Sequence, residues 1–252
     1  MNPYFEVKSI TKYFKGQAGS KKLFIDNLSF SINEEDNITS ILIPFGGGKT
    51  TLLKIISGLD PDHMGEIHLH GKLVKSKFPY IPEKPASFPW LNVIDNVRSI
   101  ISMYEKKFGP SYINLRELID LTGLTSYENH FPFNKSYGFR FRISLARALA
   151  VSPQIIILDD PFKQMDSETK NEIFNLIKKI ANVKRIKFFF ASSNITEVAA
   201  ISQKILLMNS KTGFISGEII KNKDNQRVDE VKDAILNLLR KENMINAKNF
   251  SI

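Results

Sequence analysis

Ile38-Thr39-Ser40-Ile41-Leu42-Ile43-Pro44-Phe45-Gly46-Gly47-Gly48-Lys49-Thr50-Thr51-Leu52-Leu53-Lys54-Ile55-Ile56 is the stretch that decides the fold. A mostly apolar run leads into three glycines, then Lys-Thr-Thr, then apolar residues at helical spacing, so the order is strand, loop, helix. A glycine loop in that position turns consecutive backbone N–H groups outward, and the helix behind it adds positive potential. Gly46, Gly47, Gly48, Lys49, Thr50 and Thr51 then form a phosphate cradle. Lys49 reaches the β- and γ-phosphates, and the Thr50 hydroxyl is offered to Mg²⁺. The competing reading is a glycine-rich turn before a surface lysine. It loses ground as further motifs accumulate.

The first of these is Ile155-Ile156-Ile157-Leu158-Asp159-Asp160, four apolar residues ending in two carboxylates. A hydrophobic strand that delivers an acid beside a phosphate loop holds the Mg²⁺ shell. Asp159 takes that position, and Asp160 is placed to orient or deprotonate an attacking water. Without the glycine loop, the same residues would be a strand capped by surface aspartates at a turn.

Composition sets the outer limits. A chain of 252 residues suits one α/β unit made of a core and a lobe, with 42% hydrophobic residues to fill it. No apolar stretch approaches the roughly 18 residues of a membrane span, and Met1-Asn2-Pro3 opens no signal peptide, which leads us to expect a cytoplasmic protein. Zero cysteines exclude disulfides and thiolate metal sites, and His63, His68, His70 and His130 are too scattered for a zinc site. The expected metal is the nucleotide's magnesium alone. The net charge of +9 admits nucleic acid or an anionic membrane as partner. The basic residues are dispersed, however, apart from Lys178, Lys179, Lys184, Arg185 and Lys187, and we expect a solvated basic surface.

Along the chain, Phe5 to Ile10 and Leu23 to Ile32 have strand character around a Gly/Ser/Lys-rich loop, Lys15 to Lys22, giving an antiparallel layer. Gly65 to Gly71 alternates as a short strand, and Phe78 to Pro82 follows. From Glu83 to Ala150 the texture becomes helical, with stretches at Val93–Tyr104, Asn114–Leu121 and Ser136–Leu149 punctuated by Pro110 and Pro132. This is expected to be a helical lobe inserted into the core. Ile155 to Leu158 and Lys187 to Ala191 are buried strands flanking a helix over Ser167–Ala181, an alternation that implies a parallel sheet. Asp229 to Arg240 forms an amphipathic helix, and the last dozen residues are expected to be unstructured. The partition is thus a nucleotide domain over 1–225, carrying its lobe at 83–150, and a helix with a tail over 226–252.

With these motifs in order, the chain resembles the ATP-binding subunits of ABC transporters from about Phe5 to Ile220. Ser144-Leu145-Ala146-Arg147-Ala148-Leu149, Pro153 and Asp159-Asp160-Pro161-Phe162 are similar to the family's segment from signature helix to magnesium strand. Phe88-Pro89-Trp90-Leu91-Asn92-Val93 followed by Asp95-Asn96-Val97 is similar to importers for nitrate, sulfonate, taurine and related solutes. A buried aromatic turn competes with that reading. The resemblance implies a P-loop core with a mixed sheet and an antiparallel layer. It implies MgATP as ligand, a homodimer or heterodimer, and a place on the inner face of the membrane with membrane-spanning permease subunits and a solute-binding protein. Phe14 aligns with the aromatic that stacks on adenine, with Tyr13 or a plain core role as alternatives. Ser136 and Gly138 match part of the signature that a second subunit presents to the γ-phosphate, and Ser136 also suits a helix N-cap. Asp166 matches the acid of the loop that touches the opposite subunit.

Five positions depart from the family pattern. Ile43 replaces the loop's first glycine, at a cost of about 1–2 kcal/mol if the backbone there is left-handed. Glu83 replaces the glutamine that senses γ-phosphate and magnesium, and so puts an anion among anions. Tyr137 replaces a signature glycine that allows close backbone approach. Asp160 replaces the general-base glutamate and Ser193 the histidine that contacts the γ-phosphate. Asp160 withdraws its carboxylate by about 1.5 Å, and a misplacement of about 1 Å costs on the order of 10²-fold. Loss of one donor to developing charge costs about 10²–10³-fold, although such losses need not multiply. Against a typical enzyme near about 10 s⁻¹, the rate expected for the isolated homodimer is well under about 0.1 s⁻¹. Three readings follow: an energising importer subunit with slow hydrolysis, a non-hydrolysing ATP-binding or regulatory subunit, and a nucleic-acid-associated protein. The last lacks a basic helix or stacking motif to support it.

Overall fold

The computed structural model describes residues 3–15, 21–74, 77–110, 113–209, 213–221, 227–242 and 250–251. In chain order the elements are β1 (Phe5–Lys15), β2 (Lys21–Ile32), β3 (Ile38–Leu42), α1 (Lys49–Ile56), β4 (Met64–Leu69), β5 (Lys72–Leu73), β6 (Tyr80–Ile81) and α2 (Val93–Phe108). There follow α3 (Leu115–Leu121), α4 (Tyr137–Leu149), β7 (Ile155–Asp159), α5 (Ser167–Lys184), β8 (Lys187–Ser192), α6 (Ile195–Ile201), β9 (Lys204–Met208), β10 (Ile215–Ile220) and α7 (Val228–Lys241). They divide into two compact units, one of residues 1–78 with 187–252 and one of residues 79–186.

The first unit holds an antiparallel layer in the order β2-β1-β4-β5 and strands in the order β10-β9-β3-β8. In β1 the alternation of buried Phe5 and Val7 with Glu6 and Lys8 sets the register, which places Phe5 opposite Ile32 on one side and Leu69 on the other. Gly65 lies at φ 96° where β4 meets the irregular part of β1, and a side chain there would come within 2.5 Å of the Lys8 carbonyl oxygen. β3 runs parallel to β8 and β9, with Ile38 opposite Phe188 and Thr39 opposite Lys204. All five β3 residues, Thr39 and Ser40 among them, are buried, as in a strand covered on both faces. β10 returns antiparallel to β9, which makes the sheet mixed. Phe30 of β2 stacks on Phe189 of β8 at 5.4 Å. α7 buries Val231, Ile235 and Leu239, four residues apart on one face.

In the second unit β6 pairs parallel with β7, Tyr80 opposite Ile157, and helices α2 to α5 complete the fold. Each helix starts on a side chain that accepts a first-turn N–H: Asn92 for α2, Asn114 for α3, Ser136 for α4 and Asp166 for α5. These caps satisfy donors that the helix leaves without internal partners.

The structure changes several sequence-based expectations. β1 runs on to Lys15 and β2 starts at Lys21, so strand occupies both ends of the expected loop; residues 16–20 lie outside the described residues. The strand expected over Phe78–Pro82 shrinks to Tyr80–Ile81, because Pro79 and Pro82 have no N–H for the ladder. α2 and α5 extend to Phe108 and Lys184. The tail is not wholly without structure: Ser251 forms a parallel bridge with Asn194, while 243–249 and 252 lie outside the described residues. The basic cluster is not one solvated surface either. Lys187 is buried and donates to the Glu34 carbonyl and Asn37, and Lys184 is paired with Glu117. Among the described residues no helix is long and apolar enough to cross a membrane.

Candidate nucleotide site

β3 delivers the chain to its glycine loop without strain at Ile43. That residue is fully buried, donates its N–H to the Ser192 carbonyl at 3.0 Å, and is not among the residues with positive φ. The penalty attached to a left-handed Ile43 therefore does not arise. The turn is made further on, by Gly46 at φ 73° and Gly48 at φ 90°, where glycine alone is unstrained. Gly48 is also crowded, since a Cβ there would meet the Phe24 ring at 2.4 Å. α1 then starts at Lys49 with no side-chain cap and no acid in its first turn. An anion would complete that end of the helix. Thr50 and Thr51 occupy its first turn.

Ser193 lies in the same unit, directly after β8. Lys49 Nζ donates to Ser193 Oγ at 3.3 Å, so the short side chain is met by the lysine of the glycine loop. Ser193 is buried, and Ser251 ties its backbone down. Ser251 donates its N–H to the Ser193 carbonyl at 2.9 Å and accepts from the Ile195 N–H at 2.8 Å. Lys49 Nζ also lies 5.3 Å from the centre of the exposed Phe45 ring.

The acids belong to the second unit. Asp159 and Asp160, at the end of β7, are both buried. Tyr80 of β6 donates its hydroxyl to Asp159 Oδ2 at 2.8 Å. Burial first, and then that bond, hold the Tyr80 phenol far above its ordinary pKa, so it remains a donor. Asp160 adopts φ 45° immediately before Pro161, which restricts it further. Backbone strain of this kind, about 1–3 kcal/mol, gathers at functional positions. Glu83 is ion-paired with Lys163 at 3.0 Å. Donation to Glu83 is the largest influence on Lys163 and raises its pKa; partial burial opposes it, and the charges of Glu83, Asp160 and Asp159 add to it.

At the start of α4, Ser136 Oγ accepts from the Phe139 N–H at 3.2 Å. Gly138 is buried, and a Cβ there would come within 2.5 Å of Thr169 Cγ2 on α5. Close helix packing is thus a reason for that glycine independent of any ligand. The Tyr137 ring lies under the Arg140 guanidinium at 4.3 Å. Asp166 caps α5 through the Thr169 N–H at 2.8 Å.

A strand–glycine loop–helix unit with the lysine at the helix start, and a buried strand ending in two acids, are the parts of a P-loop nucleotide fold. The family model for the ABC transporter matches residues 25–163. The aliphatic sulfonates import ATP-binding protein SsuB of Bacillus cereus is 32% identical over 222 residues, covering 86% of this chain and 85% of that protein. The chain belongs to the ABC transporter family. The taurine import ATP-binding protein TauB of Rhizobium johnstonii is 31% identical over 213 residues, with 83% and 81% covered. Among solved structures, the ADP conformation of MJ1267, an ATP-binding cassette of an ABC transporter, superposes with TM-score 0.74 at 20% identity, covering 95% of this chain and 99% of that one. The dimeric post-hydrolysis state of the cassette MJ0796 with ADP and Pi gives 0.70 at 22% identity over 86% and 98%. These last two show the shared cassette fold.

Within this ABC cassette, Phe14 and Tyr13 are both exposed rather than core residues, and Phe14 meets Phe24 edge-on at 4.8 Å. Phe24 thus touches the candidate adenine aromatic and crowds the glycine loop. Trp90 is 69% exposed, which removes the buried-turn reading of Phe88-Pro89-Trp90. The turn is instead held from beneath by Asn96, fully buried, which accepts from the Phe88 N–H at 2.8 Å and donates to the carbonyls of Phe88, Leu91 and Asn92.

Oxygen groups of the hard kind that Mg²⁺ takes alongside substrate phosphates are present in each unit, the Thr50 hydroxyl in the first and the buried Asp159 carboxylate in the second. The sequence alone does not single out Tyr80, Lys163, Phe24 or Ser251. Tyr80 is within reach of inspection, since the short strand carrying it precedes the acidic strand it pairs with. The other three depend on contacts that no local pattern encodes.

Proposed function

We propose that the chain is the ATP-binding subunit of an importer for a small organic or inorganic solute, working with membrane-spanning permease subunits and a solute-binding protein at the inner face of the cell membrane. The observation that supports it best is the glycine loop closed by Lys49 at the uncapped start of α1. The relatives' names, import proteins for sulfonates and taurine, favour a solute of that kind. In this reading Gly46, Gly47 and Gly48 present N–H groups to phosphate, Lys49 binds the β- and γ-oxygens, and Thr50 and Thr51 complete the helix end. Thr50 and Asp159 hold Mg²⁺, with Glu83 as a further oxygen donor. When bound, the ion neutralises phosphate charge and polarises the terminal phosphoryl group. Asp160 orients the attacking water, Ser193 stands beside Lys49, Phe14 stacks on adenine, and Ser136 and Gly138 serve the second subunit of a homodimer or heterodimer.

Hydrolysis in this reading is slow. Asp160 is a shortened base on a strained backbone, Ser193 gives a short hydroxyl in place of a ring donor, and Tyr137 sits on the signature turn. Its limiting form is a subunit that closes on ATP without turnover. ATP titration of the purified chain with Mg²⁺, followed by a single-turnover assay with permease and binding protein present, separates the forms. No binding rejects the proposal, binding with turnover below about 0.1 s⁻¹ supports slow hydrolysis, and a rate near a typical enzyme's rejects attenuation.

A further inference from the structure

Glu83 creates an electrostatic problem within its own unit. Lys163 feels its carboxylate together with those of Asp159 and Asp160, so three acids act on one neighbourhood. Carboxylates gathered in this way repel a polyphosphate anion. Lys163 follows Asp160 by three residues, and its backbone N–H closes a turn onto the Asp160 carbonyl at 3.4 Å. That turn carries the ammonium back to Glu83 Oε1, at 3.0 Å.

We infer that Lys163 is a positioning residue that neutralises Glu83, allowing an acid to stand where a neutral amide would otherwise be required for nucleotide binding. The inference rests on the ATP-binding reading above and assigns a role to a residue outside its motifs. The pair is half-exposed, with 50% of the Lys163 and 36% of the Glu83 side chain accessible, so the effect is modest. Its signature is dependence on Mg²⁺. Without the metal, Lys163 is the counter-charge that matters; with Mg²⁺ supplying positive charge, its removal is partly compensated.

The test is ATP titration of the full chain, in EDTA and in Mg²⁺, for Lys163→Ala, Glu83→Gln, the double variant and Lys163→Arg, with thermal melting alongside. Lys163→Ala is expected to weaken metal-free ATP binding about threefold, and clearly less in Mg²⁺. In a Glu83→Gln background the same substitution is expected to have little effect, because no charge is left to neutralise, and Lys163→Arg is expected to retain affinity. Equal losses on Lys163→Ala in the original and the Glu83→Gln backgrounds, or equal losses with and without Mg²⁺, would overturn the inference. So would a lowered melting temperature with ATP affinity untouched, which marks an ion pair of purely structural value. Lys49→Ala serves as the separate control: if it leaves ATP binding intact, the underlying nucleotide reading fails instead.

Discussion

Lys49 and Ser193 form a direct pair, with the lysine ammonium donating to the serine hydroxyl at 3.3 Å. The bond is long for N–H···O, so little is lost when the ammonium turns to a stronger acceptor. A phosphate oxygen is such an acceptor.

ATP affinity therefore divides the pair. Lys49→Ala is expected to reduce binding by at least about a hundredfold, in line with the loss of a charge-assisted contact and of local positive potential. Ser193→Ala is expected to leave affinity unchanged or to raise it by less than about threefold, because a weak competitor for the ammonium is gone. Equilibrium titration of both variants reads this directly.

Turnover is expected to respond to repair. Asp160→Glu returns the carboxylate's reach and Ser193→His returns a ring donor, and residues serving one reaction step couple. The double substitution should raise single-turnover hydrolysis more than either single substitution does. A double variant no faster than the original chain would move the defect to Tyr137 or Glu83.

Under the proposed reading Asp159 holds Mg²⁺ and Tyr80 is its hydrogen-bonded partner, and such partners typically carry about 10- to 100-fold in metal affinity. Tyr80→Phe keeps the ring and deletes only the 2.8 Å bond to Asp159. Its half-saturating Mg²⁺ concentration in the ATP-binding assay is expected to rise about tenfold. An unchanged Mg²⁺ titration would show that Asp159 needs no such support.

The α5 cap is expected to make stability depend on pH. The Thr169 N–H, and then the Thr169 hydroxyl, hold the Asp166 carboxyl below its ordinary pKa. A depressed folded-state pKa contributes stability that is fully present above the unfolded value and is lost as pH falls through the folded value. Melting temperature in the original chain should thus fall on acidification through the lower carboxylate range. Asp166→Asn, which caps without titrating, should show a shallower fall there. Parallel curves would remove Asp166 from the acid response.

Ser251 offers a test by hydrogen exchange. Deleting residues 250–252 removes the acceptor of the Ile195 N–H and the donor to the Ser193 carbonyl. The Ile195 amide should exchange faster by about 3- to 10-fold, as expected for one net hydrogen bond, while β3 amides stay protected. Unaltered exchange at Ile195 would show that the tail adds nothing to this turn.

Much of this organisation is written locally. Three glycines between an apolar run and a helical pattern can form few structures, and Ile155 to Asp160 carries its strand and its acids in six residues. β9 and β10 are harder. Lys204-Ile205-Leu206-Leu207-Met208 is a short apolar run that periodicity cannot assign to strand or helix, and Gly217 interrupts the pattern of β10. Lys12 looks like a surface lysine, yet it is buried against Asp60 and Asp62, partners far along the chain. Gly138 shows the opposite difficulty: its place in a motif suggests phosphate contact, while a Cβ there would meet the Thr169 methyl at 2.5 Å, so packing also favours glycine.

Asn96 carries the last consequence. With one buried amide it fixes the backbone at Phe88, Leu91 and Asn92, and the exposed Trp90 indole stands on a turn whose shape is already set. A turn whose backbone is held in advance has less ordering cost left to meet on association. A partner that met this turn would therefore be selected by fit at first contact rather than by remoulding of the chain.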